Sequence, residues 1–360
     1  MNMKNKLIAT GLLTLLSITT LAGCTSSQSA SISSDPKVVA KEAKKEGKVV
    51  SLGMPDPWAN WGGSWKDLKT KYNISHTDTD MNSAEAIHKF ESEGKKASAD
   101  ITDIGMNVSP TAQKKGILAK YKGEHWDQIP NWAKDKDGYW MNAYKGTIAF
   151  ITDKKNVSEK DVPKSWSDIK KGKYKVTVGA NPASAAQSQY AILAAAHAFG
   201  GDESNIKPAL NFFSQLQKEN RLSSVDTSVQ NLKKGEIDVG VLWDFNALTD
   251  RHLIDESRYE VTIPQDASVM SGDSQVINKN AKHPYAARFA RDYFLSDAGQ
   301  INIAKGYARP IRDDVKLPAD VKAKLLPASA YKKVYTIKDN DVWNKTTLKL
   351  GQQWQTEVTK

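Results

Sequence analysis

Apolar segments that read as short strands alternate with helical segments, and this order restricts the fold more than any other feature. Residues 36–46 are rich in helix formers and stop at Gly47, and the apolar segment 48–54 then reads as a strand. Residues 82–85 open another helix with the spacing of a capping box, and the strand-like segment 99–105 follows it. Alternation of this kind predicts α/β layers with parallel strand pairing.

The alternation continues through the second half of the chain. Segments 144–152, 174–178 and 237–243 read as strands, whereas the segment that begins at 166 and segments 187–199 and 210–219 read as helices. Segment 237–243 is apolar apart from Asp238, which predicts a strand covered on both faces. No repeat of 20 to 50 residues is visible, so a solenoid is not supported.

The N-terminus has the order of a secretory signal. Lys4 and Lys6 precede an apolar run at 7–21, and no acidic residue occurs before Cys24. The run is too short for a comfortable transmembrane helix, which needs about 20 apolar residues. The tetrapeptide Leu21-Ala22-Gly23-Cys24 looks like a bacterial lipobox, which predicts lipidation of Cys24. Cys24 is also the only cysteine, so no intrachain disulfide can form.

Composition fits a chain with two folded domains and no nucleic-acid partner. Residues 1–23 are predicted to be a lipoprotein signal peptide, and 24–35 a Ser-rich tether. The remaining length suffices for two domains of ordinary size. The chain has 51 basic and 41 acidic residues, but its lysines are mixed with acids, as at 41–46. A solvated surface is therefore favoured over a nucleic-acid patch.

Four segments carry a family resemblance. They are Pro163 to Ile169, Gly235 to Trp243, Asn280 to Ala287 with Phe294 to Ser296, and Gly306 to Pro310. The four segments occur in the order found in the family and follow a lipobox-like sequence. On these segments, the chain from about residue 45 to 318 resembles bacterial ABC transporter extracellular solute-binding lipoproteins of the spermidine/putrescine and ferric-iron importer type.

The resemblance implies an α/β, two-lobed periplasmic-binding-protein-like fold with an interdomain ligand cleft and crossover hinge strands. Lobe 1 is expected to comprise residues 36–146 plus 272–312, and lobe 2 residues 147–271 plus 313–360. The implied function is capture of a small polar solute by lobe closure and its delivery to the permease and ATPase subunits of an ABC importer. The protein is expected to be a monomer, lipid-anchored on the extracytoplasmic face of the cell membrane, with no cofactor, no metal and no enzymatic activity.

Cleft walls in such a fold come from loops at the carboxyl ends of strands, and these loops contain the candidate ligand-binding residues, except for Asp273, which lies on the expected second crossover. In chain order the candidates are Asp56, Trp58, Asn82, Ser83, Asn107, Asn181, Ser184, Trp243, Asp244 and Asp273.

The preferred pair is Trp243 with Asp244, because an aromatic face beside a carboxylate suits a cationic ligand. The alternative is a core tryptophan next to a capping aspartate. Polyamine binders of the family carry further carboxylates on the loop that here contains Asn181 and Ser184. They also have an aromatic residue where this chain has Ser271, two before Asp273. These departures weaken the polyamine assignment.

Two other ligand classes follow from the same loops. Ferric-iron binders use adjacent tyrosines, and the chain has no Tyr-Tyr pair, so direct iron binding is disfavoured while an iron chelate stays open. The small hydroxyl and amide side chains at 82–83 and 184–188 lie at helix starts, which suit phosphonate, phosphate or carboxylate oxygens. Ordinary N-capping explains residues 82–83 almost as well. A zwitterion such as an aminophosphonate would use both kinds of site.

The sequence contains little that indicates an enzyme. The chain has no Gly-x-Ser-x-Gly elbow, His-Glu-x-x-His motif or P-loop. Residues 78–82 begin like a calcium loop, but Ser83 replaces the required Gly and Lys89 the required Glu. A lipid-anchored hydrolase and an adhesin-like surface protein are the rival classes.

Overall fold

The computed structural model describes residues 32–180, 182 and 185–360. The predicted signal peptide, Cys24 and most of the predicted tether lie outside the described residues. Ser33–Lys360 forms one folded unit. None of the helices in the described residues is long and apolar enough to cross a membrane.

The strands are short, except for one long strand near the middle of the chain. They are β1 (Lys48–Leu52), β2 (Ser75–Thr79), β3 (Ile101–Gly105), β4 (Trp140–Asn142), β5 (Tyr144–Asp153), β6 (Val176–Thr177), β7 (Leu222–Ser223), β8 (Val239–Trp243), β9 (Tyr259–Thr262), β10 (Ser268–Ser271), β11 (Asp273–Ile277), β12 (Arg309–Pro310) and β13 (Val334–Tyr335).

The helices are α1 (Pro36–Glu46), α2 (Trp61–Tyr72), α3 (Ser83–Glu93), α4 (Ser109–Lys114), α5 (Trp166–Lys171), α6 (Ala186–Ala198), α7 (Lys207–Lys218), α8 (Val229–Lys234), α9 (Asp244–Ile254), α10 (Pro284–Leu295), α11 (Asp297–Lys305), α12 (Ala319–Lys322) and α13 (Asn340–Glu357).

The strands form two sheets, which makes the molecule a two-lobed α/β structure as predicted. The first sheet has the order β2-β1-β3-β11-β4, and the second has the order β13-β10-β5-β8-β6-β7, with β9 and β12 also paired to β5. The chain passes from one sheet to the other between β4 and β5 and again between β10 and β11. The residue bounds predicted for each lobe stay a prediction.

The expectation of parallel pairing was only partly right. β1 is parallel to β2 and β3, and β6 is parallel to β7 and β8. By contrast, β11 is antiparallel to β3, and β5 is antiparallel to β8, β9, β10 and β12. The strands that carry the chain between sheets enter without a crossover helix, so parallel pairing is not imposed on them.

Local signals in the sequence set several element ends. α1 stops at Gly47, whose φ of 60° is the left-handed conformation that ends helices. The capping box is present: the Asn82 carboxamide oxygen accepts the Glu85 backbone N–H, and Glu85 accepts the Asn82 N–H in return. β2 was missed, because its Ser-His-Thr-Asp-Thr sequence lacks an apolar face. It lies at the sheet edge, where a half-exposed polar strand is tolerated.

The hydrophobic core contains several of the tryptophans and the whole of the apolar strand β8. Trp61, Trp166 and Trp343 are fully buried. Every residue of β8 is buried, which confirms the prediction of a strand covered on both faces.

Candidate ligand-binding site

The hydroxyl of Tyr144 is the centre of a polar cluster at the place where the chain passes between the two sheets. It lies 2.8 Å from Asp103 Oδ2 and 2.9 Å from Asp273 Oδ2. Trp58 donates its indole N–H to the same oxygen at 2.6 Å. Four elements therefore converge on one atom: the loop after β1, β3, the start of β5 and the start of β11.

Asp103 receives hydrogen bonds at both carboxylate oxygens. Gln275 Nε2 donates to Oδ1 at 2.6 Å, and Trp61 Nε1 lies 3.3 Å from Oδ2. The strand register makes the first contact possible, because Asp103 and Gln275 are direct partners in the β3–β11 pair. Gln275 also donates to the main-chain oxygen of Asp273 at 3.1 Å, which connects the two acidic positions.

Burial makes both carboxyl groups weak acids. It raises the pKa of Asp103 well above its usual value, and the nearby charge of Asp273 raises it further. Burial also raises the pKa of Asp273 to about 6. In the part of the chain that the structure describes, no Lys, Arg or His side chain forms an ion pair with either group. The cluster is thus acidic and lacks a cation of its own.

Aromatic rings from both sides of the molecule enclose this cluster. Phe245, in the first turn of α9, meets the Trp58 ring edge-on at a centroid distance of 5.4 Å and the Tyr144 ring at 5.6 Å. Trp61 adds a further edge contact to Tyr144 at 5.8 Å. The carboxyl groups therefore sit beside an apolar aromatic wall, which lowers the local dielectric and strengthens electrostatic interactions.

Gly105 marks where α6 approaches the first sheet. A methyl group at this position would lie 2.8 Å from Asn107 Oδ1, 3.5 Å from Ala186 Cβ and 3.9 Å from Asp273 Oδ1. Asn107 is 3% exposed, and its Oδ1 has no hydrogen-bond partner among the described residues. A buried acceptor without a partner is unusual in a folded protein, which makes Asn107 a candidate ligand contact.

Residues 98–345 match the sequence model of the family described as bacterial extracellular solute-binding protein. This chain belongs to that family. Proteins of this kind are binding proteins of ABC importers, which bind a small solute and pass it to the permease. No curated protein sequence matches the chain.

Several solved structures have the same fold as this solute-binding protein. It is similar to the periplasmic binding protein AfuA from Actinobacillus pleuropneumoniae with fructose-6-phosphate bound, at 18% identity, 86% and 98% coverage of the two chains, and TM-score 0.70. It is also similar to a periplasmic thiamin binding protein, at 17% identity, 87% and 96% coverage, and TM-score 0.69. Iron-bound HitA from Pseudomonas aeruginosa gives 17% identity, 85% and 98% coverage, and TM-score 0.67. At these identities the likeness establishes the fold alone.

The pair preferred from the sequence, Trp243 with Asp244, lies inside the solute-binding protein. Trp243 is 3% exposed and packs on the Tyr190 ring at 5.3 Å. Asp244 is 1% exposed, and its Oδ1 accepts the backbone N–H groups of Thr147 and Phe245, both at 2.9 Å. Its Oδ2 accepts the Tyr331 hydroxyl at 2.6 Å. Both oxygens are used within the chain, as in the capping alternative, so a ligand contact for this pair stays a prediction.

The other predicted residues divide into three groups. Trp58, Asn107 and Asp273 come together around the acidic cluster. Asn82 and Ser83 form hydrogen bonds within the protein: Ser83 Oγ accepts the Gly105 backbone N–H at 3.0 Å, and Asn82 caps α3. The remaining three are Asp56, which is exposed, and Asn181 and Ser184, which lie outside the described residues.

Asp103 and Tyr144 were missed by the sequence reasoning. Asp103 lies in the segment 99–105, which reads as a buried strand, and an acid among Ile101, Thr102 and Ile104 is the signal that could have identified it. Tyr144 carried no signal, because its importance depends on a strand crossing that only the folded chain defines. Among the described residues, no three His, Cys, Asp or Glu side chains gather in a possible metal site.

Proposed function

We propose that this solute-binding protein captures an organic cation, or a zwitterion with a cationic group, at the cluster of Asp103, Tyr144 and Asp273. The observation that supports this most directly is the buried carboxyl group of Asp103 next to the half-buried one of Asp273, for which the described chain supplies no basic partner. Burying a carboxylate without a countercharge costs several kcal/mol or forces the group to bind a proton. A ligand cation next to Asp273 would offset that cost.

The aromatic wall supports the same ligand class. Trp58, Tyr144 and Phe245 lie around the carboxyl groups at ring separations of 5.4 to 5.6 Å. Aromatic rings attract cations by about 0.5–2 kcal/mol, and more strongly where water is excluded. We assign recognition of the cation to Asp273 and Trp58, with Asn107 as an additional polar contact. Thiamin, named for one similar structure, is a cation, which makes it a rational probe.

A zwitterion such as an aminophosphonate is the second candidate. α6 begins close to Gly105 and Asn107, and the N-cap residue Ala185 supplies no side-chain acceptor for its first turn. Backbone N–H groups at a helix N-terminus favour anionic oxygens. A phosphonate there and an amine at Asp273 would each meet a matching partner. Closure of the lobes would be favoured to the extent that the ligand binds the closed form better than the open one.

We further propose that the protein acts as a monomer, held on the extracytoplasmic face of the cell membrane through a lipid on Cys24. The lipobox-like Leu21-Ala22-Gly23-Cys24 and the following Ser-rich segment support this. Metabolic labelling with palmitate should mark the full-length chain, and Cys24→Ser should abolish the label. A label retained by Cys24→Ser would contradict the anchor.

Isothermal titration with a ligand panel tests the ligand class. The panel comprises spermidine, 2-aminoethylphosphonate, thiamin, fructose 6-phosphate and ferric citrate. We expect binding of at least one of the first three, weakened about tenfold or more by Asp273→Asn, because a charge-assisted hydrogen bond is worth about 1.5–3 kcal/mol. Asp292→Asn, another buried carboxyl group of raised pKa, is the matched control and should leave the affinity unchanged.

Each other result contradicts the cation assignment in a specific way. Binding of ferric citrate alone would favour the iron-chelate alternative, and binding of fructose 6-phosphate alone would favour an anionic cargo. Turnover of any probe by purified protein would favour a lipid-anchored hydrolase. Native mass spectrometry of freshly purified protein, which detects a co-purifying small molecule, provides an independent check.

A further inference from the structure

The contacts around Tyr144 Oη define how many protons the cluster holds. A phenol oxygen donates one hydrogen and accepts two. Trp58 occupies one acceptor position, since its indole N–H can only donate. Two carboxyl oxygens then lie within hydrogen-bond distance, but only one phenol hydrogen is left for them. Both contacts are hydrogen bonds only if one carboxyl group is protonated and donates to Tyr144.

The surroundings supply no other positive charge. Asp103 faces Trp61 of α2 and Gln275 of β11, which are both neutral. The titratable groups that face the pair are Tyr144 of β5 and Tyr190 of α6, and neither carries positive charge. Trp58 and Phe245, from the two remaining sides, are neutral as well. For the described residues, a proton is therefore the only countercharge the two carboxyl groups have.

The raised pKa values agree with this count. Two carboxyl groups that share a site lose their protons in two steps, because ionising the second places like charges side by side. The pKa of Asp273 lies at about 6, and that of Asp103 lies well above its usual range. Raised pKa values for both groups agree in direction with the single retained proton that the hydrogen-bond geometry requires.

We propose that Asp103, Tyr144 and Asp273 form a proton-binding site, and that the cationic group of the cargo replaces the bound proton. This rests on the proposed function, and it restricts the cargo to molecules whose positive charge can reach Asp273. In the exchange the carboxyl O–H bond breaks, the proton leaves to solvent or buffer, and the ligand cation becomes the countercharge. The net charge of the site is the same before and after capture.

The proton itself can be tested without any ligand. Carboxyl-carbon NMR of the full chain labelled with ¹³C-aspartate should show one protonated signal of this pair at pH 7, beside the signals of Asp250 and Asp292, whose pKa values also lie at about 7. The signal of the pair should disappear in Asp103→Asn and persist in Asp250→Asn and Asp292→Asn. In Asp273→Asn it should titrate at lower pH, because the neighbouring charge is lost. If Asp103→Asn or Asp273→Asn fails to fold, Tyr144→Phe provides the same test, because loss of the bridging hydroxyl should shift the titration of the signal. Two ionised carboxylates at pH 7 in the wild type would overturn the proposal.

The exchange predicts a pH-dependent affinity. With spermidine, 2-aminoethylphosphonate or thiamin as the probe, release of one proton per ligand should tighten binding about tenfold per pH unit between pH 6.5 and 7.5. Titration in zwitterionic buffers of different ionisation enthalpy should detect that proton, and Asp273→Asn should remove the dependence. Binding with no proton release would overturn the exchange alone. If none of the cations binds, both the exchange and the proposed function are wrong, while the ligand-free NMR result still decides whether the proton site exists.

Discussion

The indole N–H of Trp58 donates a 2.6 Å hydrogen bond to the hydroxyl of Tyr144. Trp58 lies in the loop after β1 of the first sheet, whereas Tyr144 is the first residue of β5, which belongs to the second sheet. This bond joins a wall of the candidate cleft to the strand by which the chain passes between the lobes. It also leaves the phenol hydrogen free to donate to one of the two carboxyl groups, because the indole N–H uses only an acceptor position of the hydroxyl oxygen. The proposed ligand site and the strand that joins the two sheets therefore share a single oxygen atom.

Replacing Trp58 by Phe should weaken cation binding without unfolding the protein. The ring is retained, but the donor to Tyr144 is lost, which costs about 0.5–1.5 kcal/mol and reduces affinity roughly threefold to tenfold. Titration calorimetry with the best-binding cation of the panel measures this. Trp132→Phe, at another partly buried tryptophan, is the control and should bind as wild type. Unchanged affinity in Trp58→Phe would show that its N–H has no role in capture.

The acidic cluster should make the protein less stable as pH rises. The folded-state pKa values of Asp103 and Asp273 are raised by burial, so the folded chain holds protons that the unfolded chain releases. The free energy of unfolding should therefore fall above about pH 4, through about pH 6 for Asp273, by about 1.4 kcal/mol per unit of raised pKa. Chemical denaturation from pH 4 to 8 measures the slope.

Asp273→Asn should flatten that slope, because an amide does not titrate. Its free energy of unfolding should match wild type near pH 4 and exceed it at pH 8. Asp202 is the control: hydrogen bonds from Ser204 lower its pKa, so its contribution is lost only below the pH range measured, and Asp202→Asn should leave the slope between pH 4 and 8 unchanged. A wild-type stability that rises steadily from pH 4 to 8 would contradict the assignment of a raised pKa to the cluster.

Asp244 should prove to be a structural residue. Asp244→Asn replaces an acceptor of two backbone N–H groups and the Tyr331 hydroxyl, and should lower the free energy of unfolding by about 1–3 kcal/mol. Tyr331→Phe should reproduce part of that loss. Ligand affinity should change less than threefold in both variants. A large loss of affinity with unchanged stability would instead establish Asp244 as the ligand contact expected from the sequence.

A methyl group at Gly105 should displace the Asn107 side chain. In Gly105→Ala the added carbon would lie 2.8 Å from Asn107 Oδ1, closer than side-chain atoms normally approach, whereas its distance of 3.5 Å from Ala186 is an ordinary contact. We expect cation affinity to fall about tenfold, because Asn107 is the proposed additional polar contact, while the melting temperature of the ligand-free protein changes by only about 2–4 °C. Titration calorimetry and thermal denaturation measure the two effects. Normal binding would mean that the position of Asn107 is not important for capture.

Local features of the sequence predicted much of the secondary structure. The end of α1 at Gly47 and the Asn82–Glu85 capping box follow from conformational and hydrogen-bonding preferences within a few residues. The buried β8 was evident from its unbroken apolar run. These features are determined locally, so the linear order of residues contains them. β2 shows the limit, because a polar edge strand has no local signature.

The solute-binding family was likewise recognised from segments of sequence, and the match over residues 98–345 confirms it, whereas the lipoprotein anchor and the importer type stay predictions. The candidate site was predicted only in part. Trp58 and Asn107 were selected because they follow strands and Asp273 because it lies on the expected second crossover, and the structure places all three around the acidic cluster. Asp244 was also selected because it follows a strand, yet its carboxylate is used by Thr147, Phe245 and Tyr331. Whether an aspartate faces a cleft or the chain interior depends on partners that are distant in sequence.

The sequence by itself determined the order of elements, the local caps, the solute-binding family and the expectation of a lipid anchor at Cys24. Only the tertiary structure brought Asp103, Tyr144 and Asp273 to one point, because their separations along the chain are 41 and 129 residues. The pKa of a carboxyl group depends on its burial and on neighbouring charges, and both arise only when the sheets assemble. The charge state of the cleft is for this reason a property of the fold.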